Sequence, residues 1–215
     1  MIQTAYHILV ASTPELLEQG KGDIWDSGKI ESDASQWIAY QGKTLKRNAP
    51  YYWKVKIDTN KGTTDWSTPA FWTTGLFNEA DWQGQWIGLD KAAPGDSETQ
   101  WSRLAARYLR KEFALKKEVK RATVHIAGMG LYELFINGQR IGNQVLAPAP
   151  TDYRKTILYN TYDVTSLLQT ENAIGVTLGN GRFYTMRQNY KPYKIPTFGY
   201  PKLRLNLIVE YADGS

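Results

Sequence analysis

Apolar side chains recur at every second position through most of this chain, in short runs. Tyr6-His7-Ile8-Leu9-Val10, Tyr52-Trp53-Lys54-Val55-Lys56-Ile57, Ala122-Thr123-Val124-His125-Ile126 and Leu203-Arg204-Leu205-Asn206-Leu207 all follow this rule. A period of two sends alternate side chains to opposite sides of an extended backbone, and a helix of 3.6 residues per turn cannot use it. Helical signals are confined to two short places. In "STPELLEQG" Thr13 suits a cap, Pro14 the first helical position and Gly20 the end; in "YDVTSLLQ" Asp163 or Thr165 suits a cap. The chain is therefore predicted to be mostly β.

Turn signals divide the strands into two groups. In residues 1–77, Tyr6–Val10, "DIWDSGKI", "SQWIAY" and the two arms of "YYWKVKIDTNKGTTDWSTPAFWTTG" around an Asn60-to-Gly62 turn predict about five or six strands, the spacing of a β-sandwich. "YYWKVK", "DWS" and "PAFW" resemble the late strands of a fibronectin type III module, which would carry one more strand before Gln3. The break falls at "NEADWQGQWIG". In residues 82–215 a long aperiodic loop, "LDKAAPGDSETQWSRLA", leads into about seven or eight further strands, including a hairpin with Asn137-Gly138 at its tip. That number suits a double-sheet jelly roll. Near the end, Asp213-Gly214 is a hairpin-turn signal after a strand, so a partner strand is expected beyond it, and the chain reads as a piece of a longer polypeptide.

Composition removes several chemistries. The cysteine count of 0 excludes disulfides, thiol nucleophiles and Cys-based zinc sites. The net charge of +5 comes from scattered Lys and Arg. The densest stretch, "LKKEVKR", is interrupted by Glu118 and Val119 and reads as a solvated face, so no nucleic-acid partner is expected. No apolar run reaches membrane-spanning length, and the N-terminus lacks the basic-then-apolar pattern of a signal peptide. Only His7 and His125 are available as imidazole bases, and each sits in an alternating strand as a half-exposed side chain. "GNGRF" follows a strand but opens no helix, which argues against a phosphate cradle.

Acidic groups remain. Asp90, Asp96 and Glu98 lack the order of an EF-hand loop, although a Ca²⁺ site built of oxygens from separate loops stays open. A glycosidase needs paired carboxylates, for which Glu133, Asp152 and Asp163 are the candidates. Asp152 reads as a turn former and Asp163 as a cap, whereas the strand parity of Glu133 leaves both a surface role and a ligand contact open.

The aromatic fraction is 13%, with 8 Trp and 14 Tyr, and it concentrates in one place. "GNGRFYTMRQNYKPYKIPTFGYP" holds Asn180, Arg182, Tyr184, Arg187, Gln188, Asn189, Tyr190, Tyr193 and Tyr200. Amide, guanidinium and hydroxyl groups beside flat rings suit a polyhydroxylated ligand, and they equally suit a Tyr-rich interface between domains.

Taken in order, "YYWKVKI", "DWQGQWIG", "YLRKEFAL", "GMGLYELFINGQRIGNQVLAPAPTDYRKTILYNTYDVTSLL" and "ENAIGVTLGNG" resemble the N-terminal half of bacterial α-L-rhamnosidases of glycoside hydrolase family seventy-eight. The most specific parts are Gly130–Leu134, Asn137-Gly138, Thr151-Asp152-Tyr153, Tyr162–Thr165 and Leu178–Gly181. The resemblance implies an all-β chain: a fibronectin type III-like β-sandwich, then a galactose-binding-like jelly-roll β-sandwich. It also implies a following (α/α)₆ barrel in the parent, which carries the catalytic acid and base. In some relatives the jelly roll binds L-rhamnose with Ca²⁺; in others it is a scaffold. A rhamnose-containing glycan is thus a candidate partner, Ca²⁺ a candidate ion, and Glu133, Asn137 and Asn180 candidate sugar contacts; Arg182 and Tyr184 join them from the polar and aromatic stretch itself. Two departures from the family pattern lie close by, Pro148-Ala149-Pro150 and Arg182. A stand-alone carbohydrate-binding module and a structural docking module are the alternatives.

Overall fold

The computed structural model describes residues 1–91, 104–184 and 198–215. The chain separates into two compact units, Met1–Asp81 and Trp82–Ser215. Both are built of antiparallel sheets, in which strands with one covered and one solvated face alternate apolar and polar residues.

The first unit is organised around β1 (Gln3–Ala11). It pairs with β2 (Trp25–Glu31) on one side and β3 (Pro50–Thr59) on the other; β3 also pairs with β4 (Gly62–Thr63) and β5 (Ala70–Thr73). Both faces of β1 are covered. Ile8, Val10 and Tyr51 pack beneath Ile24, Ile38, Leu45 and Ala49, which come from irregular backbone. Leu9 and Ala11 pack against Leu17 of the short helix α1 (Pro14–Glu18), together with Tyr52 and Trp66. Thr13 caps α1 by accepting from the Leu16 amide, and Pro14 stands at its start. The buried Lys54 ammonium donates to the Leu17 carbonyl at 2.6 Å and lies 5.0 Å from the Trp66 ring centre, so it too serves this helix end. "SQWIAY" departs from expectation, since it forms no strand. Trp37 takes a left-handed φ of 59° and points into solvent while Ile38 turns inward, so the alternation serves a single inward anchor instead of a ladder.

The second unit is a sandwich of two four-stranded sheets. One runs β10 (Gln139–Ile141), β9 (Leu131–Ile136), β12 (Glu171–Gly179), β7 (Arg107–Ala114). The other runs β11 (Tyr159–Asp163), β8 (Val119–Met129), β13 (Lys202–Tyr211), β6 (Ile87–Gly88). Ala122, Val124 and Ile126 of β8 face Leu134, Ile136, Val176 and Leu178 of the opposite sheet, all buried. Each such aliphatic side chain taken fully from water contributes about 1.5–3 kcal/mol. The Asp213-Gly214 turn forms, with Gly214 at φ 84° and the Tyr211 amide donating to the Ser215 carbonyl at 3.0 Å.

His125 is not half-exposed, as its strand parity suggests, but fully buried. It lies on the outer face of β8 in a row with Asn206 of β13 and Thr161 of β11. The chain entering this unit crosses that row. The Asn206 carbonyl oxygen accepts from the amides of Gln83 (3.2 Å) and Gly84 (2.8 Å), and Arg204 donates to the carbonyls of Gly84 and Trp82 with its guanidinium over the Trp82 ring. Trp82 meets Tyr159 edge-on, closing the cover over His125, whose Nδ1 lies 2.9 Å from Thr161 Oγ1. Burial, and secondarily Arg121, holds the His125 imidazole below its ordinary value.

Candidate functional site

The antiparallel register of β9 and β12 decides which candidate residues meet. Ile174 pairs with Ile136 at one end of this ladder and Gly179 with Leu131 at the other. Asn137 follows the first end and Asn180 the second. Five residue steps of about 3.4 Å separate the two ends by roughly 17 Å. The sequence-level contacts therefore divide, with Asn180, Arg182 and Tyr184 at one end of the jelly roll and Asn137 at the other.

At the Asn180 end, glycines let the backbone come close. Gly130 takes φ 133°, and a Cβ there would stand 2.4 Å from the Gly179 carbonyl oxygen; one on Gly181, at φ 52°, would touch Leu131 and Gly130 at 3.0–3.1 Å. Asn180 leaves β12 between Gly179 and Gly181. Its Nδ2 donates to the Leu104 carbonyl at 3.2 Å, and its Oδ1 is buried with no hydrogen-bond partner among the described residues. Its main-chain carbonyl accepts from the Tyr184 amide at 3.2 Å, which starts a turn that exposes Arg182 and stacks Tyr184 on Tyr200 with ring centres 5.8 Å apart.

Beside this turn stands a trio of rings. Phe183, buried, meets Tyr153 edge-on at 5.2 Å and stacks on Phe198 at 6.0 Å; Tyr153 and Phe198 meet at 5.4 Å. Arg154 lies 5.9 Å from the Phe198 ring centre and pairs with Asp152 at 3.0 Å, holding that carboxyl below the usual carboxylate range. Burial raises the Tyr153 phenol, with Arg182 opposing. Thr151-Asp152-Tyr153 and Leu178–Gly181, far apart in sequence, are thus brought to one edge with Gly130. The ring trio was not anticipated as a unit; the one sequence signal for it was Tyr153 within the Thr-Asp-Tyr motif.

The other candidates are otherwise engaged. Asn137, at φ 51°, donates through Nδ2 to the Leu167 carbonyl (2.9 Å) and to Asn172 Oδ1 (3.0 Å), and accepts through Oδ1 from the Ala173 amide (2.8 Å). It staples the β9–β10 hairpin to the start of β12. Glu133 projects from the outer face of β9, exposed and 3.3 Å from Arg140. Asp163 accepts from the Thr165 amide and hydroxyl just ahead of the 3₁₀ turn Thr165–Leu167, whose cap position belongs to Val164 and carries no side-chain bond, so neither Asp163 nor Thr165 is its cap; Asp152 closes its own turn. Each of the three candidate carboxylates Glu133, Asp152 and Asp163 thus has a partner of its own, Arg140, Arg154 and Thr165. Asp90 pairs with Lys202 at 3.2 Å; Asp96, Glu98, Arg187, Gln188, Asn189, Tyr190 and Tyr193 lie outside the described residues. Among the described residues no three His, Asp or Glu side chains gather to hold a metal ion, and no helix is long and apolar enough to cross a membrane.

Residues 1–78 match the family described as the Rha78A-like, N-terminal immunoglobulin domain, and residues 117–215 that of the alpha-L-rhamnosidase N-terminal domain. The chain belongs to the N-terminal region of the α-L-rhamnosidase family. It is 39% identical over 233 residues to an α-L-rhamnosidase of Formosa agariphila, an alignment that covers 99% of this chain and 24% of that protein. Another α-L-rhamnosidase, from Alteromonas sp., is 37% identical across 83% of this chain and 20% of its own length. The solved α-L-rhamnosidase structure from Dictyoglumus thermophilum superposes with a TM-score of 0.85 at 40% identity, over all of this chain and 24% of that one. The rhamnosidase N-terminal region described here thus spans about a quarter of the length of the curated relatives it matches.

Proposed function

We propose that this chain is the non-catalytic N-terminal part of an α-L-rhamnosidase that hydrolyses terminal α-L-rhamnosyl linkages in glycans, its jelly roll serving to support the (α/α)₆ catalytic barrel of the same parent polypeptide. One observation carries this reading. The three carboxylates that could serve glycoside hydrolysis are spent on Arg140, Arg154 and Thr165 at separate places, whereas the reaction needs a general acid and a general base facing each other across one bond. The test is an assay of the 215-residue chain on an aryl α-L-rhamnoside. The expected result is no turnover above buffer. Turnover that disappears in Glu133→Gln would refute the reading.

A second reading, sugar binding by the jelly roll, has a specific observation in its favour. Among the described residues the buried Asn180 Oδ1 has no hydrogen-bond partner, and Asn180 opens the turn that carries the exposed Arg182 and the Tyr184–Tyr200 stack. An unsatisfied buried acceptor costs about 1–3 kcal/mol and would be relieved by a sugar hydroxyl. Titration calorimetry with L-rhamnose, with and without Ca²⁺, checks it. Heat that is lost in Asn180→Ala supports a saccharide site there, and Ca²⁺-dependent heat would give the ion its role. Absence of heat at millimolar sugar in both conditions removes this reading.

A further inference from the structure

The Asn180 end of the jelly roll offers three kinds of contact. The first is an acceptor. Asn180 Nδ2 is engaged by the Leu104 carbonyl, and its buried Oδ1 has no hydrogen-bond partner among the described residues, so a donor such as a hydroxyl would complete it. The second is flat ring surface. Tyr184 stacks on Tyr200 with centres 5.8 Å apart, and the half-buried Tyr153 and Phe198 meet at 5.4 Å. Such rings receive the C–H face of a sugar. The third is positive charge left over after local pairing. Asp152 holds Arg154 through both carboxylate oxygens, at 3.0 and 3.4 Å. Asp90 holds Lys202, which pairs with Met129 just ahead of Gly130, at 3.2 Å. Arg182 and Lys155 are both exposed, and neither forms an ion pair among the described residues.

Asn180 and Arg182 belong to one turn, which the Tyr184 amide closes on the Asn180 carbonyl at 3.2 Å, so their Cα atoms are at most about 7 Å apart. The Arg182 charge also reaches the rings, since it opposes the upward push of burial on the Tyr153 phenol. A neutral rhamnose unit has hydroxyls for Asn180 and a C–H face for the rings, but nothing to meet an unpaired guanidinium. We propose that this end binds an acidic glycan, in which a uronic acid joined to L-rhamnose places its carboxylate on Arg182 and a sugar hydroxyl donates to Asn180 Oδ1. It rests on the saccharide-binding reading of the jelly roll and gives that ligand its charge. The planar donor fork of Arg182 suits a carboxylate. An acidic side chain of a partner protein would also meet Arg182, but an ionised carboxylate donates no hydrogen bond to Asn180, whereas a uronic acid carries anion and hydroxyls on one ring.

Titration calorimetry of the intact chain with L-rhamnosyl-D-glucuronic acid, and with its neutral counterpart L-rhamnosyl-D-glucose, tests the proposal. The acidic disaccharide is expected to bind about 5-fold more tightly, the upper end for a solvent-exposed ion pair. That ratio should shrink between about 50 and about 300 mM NaCl, as screening predicts. Arg182→Gln, an exposed substitution, should abolish the preference and leave the neutral disaccharide's affinity unchanged. Lys120→Gln removes the same charge near the opposite end of β8 and should keep the preference. Equal affinity for the two disaccharides would leave the saccharide site standing and overturn its acidic preference. A preference lost equally in Lys120→Gln would reduce it to net charge and overturn it as well. Absence of heat with both disaccharides would remove the site and the preference together.

Discussion

Replacing Asn137 distinguishes a hairpin staple from a sugar contact. Its side chain makes three hydrogen bonds, to Leu167, Asn172 and Ala173, while its backbone holds φ 51°. Each bond contributes about 0.5–1.5 kcal/mol net, and a left-handed φ costs a residue with a Cβ and no local hydrogen bond roughly 1–2 kcal/mol. Asn137→Ala should therefore lower unfolding stability by about 3–4 kcal/mol, with some of the loss relieved by water at this exposed turn. Asn137→Gly removes the same bonds but restores freedom at φ, so it should lose about 1 kcal/mol less. Urea unfolding followed by far-UV circular dichroism measures both, with two transitions fitted where the two units unfold apart. Asn137→Ala within about 0.5 kcal/mol of the parent chain would refute the staple. Loss of saccharide heat with unchanged stability would instead make Asn137 a ligand contact.

Three further outcomes follow from the packing. Lys54→Ala should cost about 2–3 kcal/mol in urea unfolding by emptying the space beside Trp66 and unlinking the Leu17 carbonyl, whereas Lys54→Met, which keeps the stem, should cost less than about 1; equal losses would mean that charge, not packing, holds α1. His125 has a folded pKa below its ordinary 6.5, so the unfolded chain binds the proton first and its contribution to stability, intact above that value, is lost as pH falls below it. The loss should approach about 1.4 kcal/mol per pH unit and be absent in His125→Gln; the same acid profile in both would exclude His125 as its source. Gly130→Ala, with φ 133° and a backbone oxygen 2.4 Å from the new Cβ, should lose more than about 2 kcal/mol in thermal or urea unfolding, and a neutral result would mean that the Gly130–Gly179 approach is loose.

The correction at His125 has a tertiary cause. His125 and Asn206 look alike in sequence, each a polar residue inside an alternating strand, and parity alone assigns such positions to solvent. The Trp82–Gly84 segment changes that assignment by laying main-chain amides and an indole across them. A trace of this was legible, since Arg204 and Asn206 alternate with leucines just where a two-sided strand would carry polar groups to bind a crossing chain. "SQWIAY" misled for the opposite reason: one inward residue, Ile38, and one outward, Trp37, imitate a strand without a partner ladder.

Local chemistry alone dictated much of this molecule. Two-residue alternation set its β class, Thr13 and Pro14 started its helix, Asn137-Gly138 and Asp213-Gly214 made their turns, and Asp163 bonded the Thr165 amide two residues on, because each depends only on a residue and its near neighbours. Which residues meet was decided by strand register, a property of contacts between segments tens of residues apart. Register placed Asn180 with Tyr184 and Tyr153 at one end and Asn137 at the other, and it set all the charge of β2 and β3 on one face of the first sheet. A side chain's periodicity says that it has a face; only the partner strand says what that face looks upon.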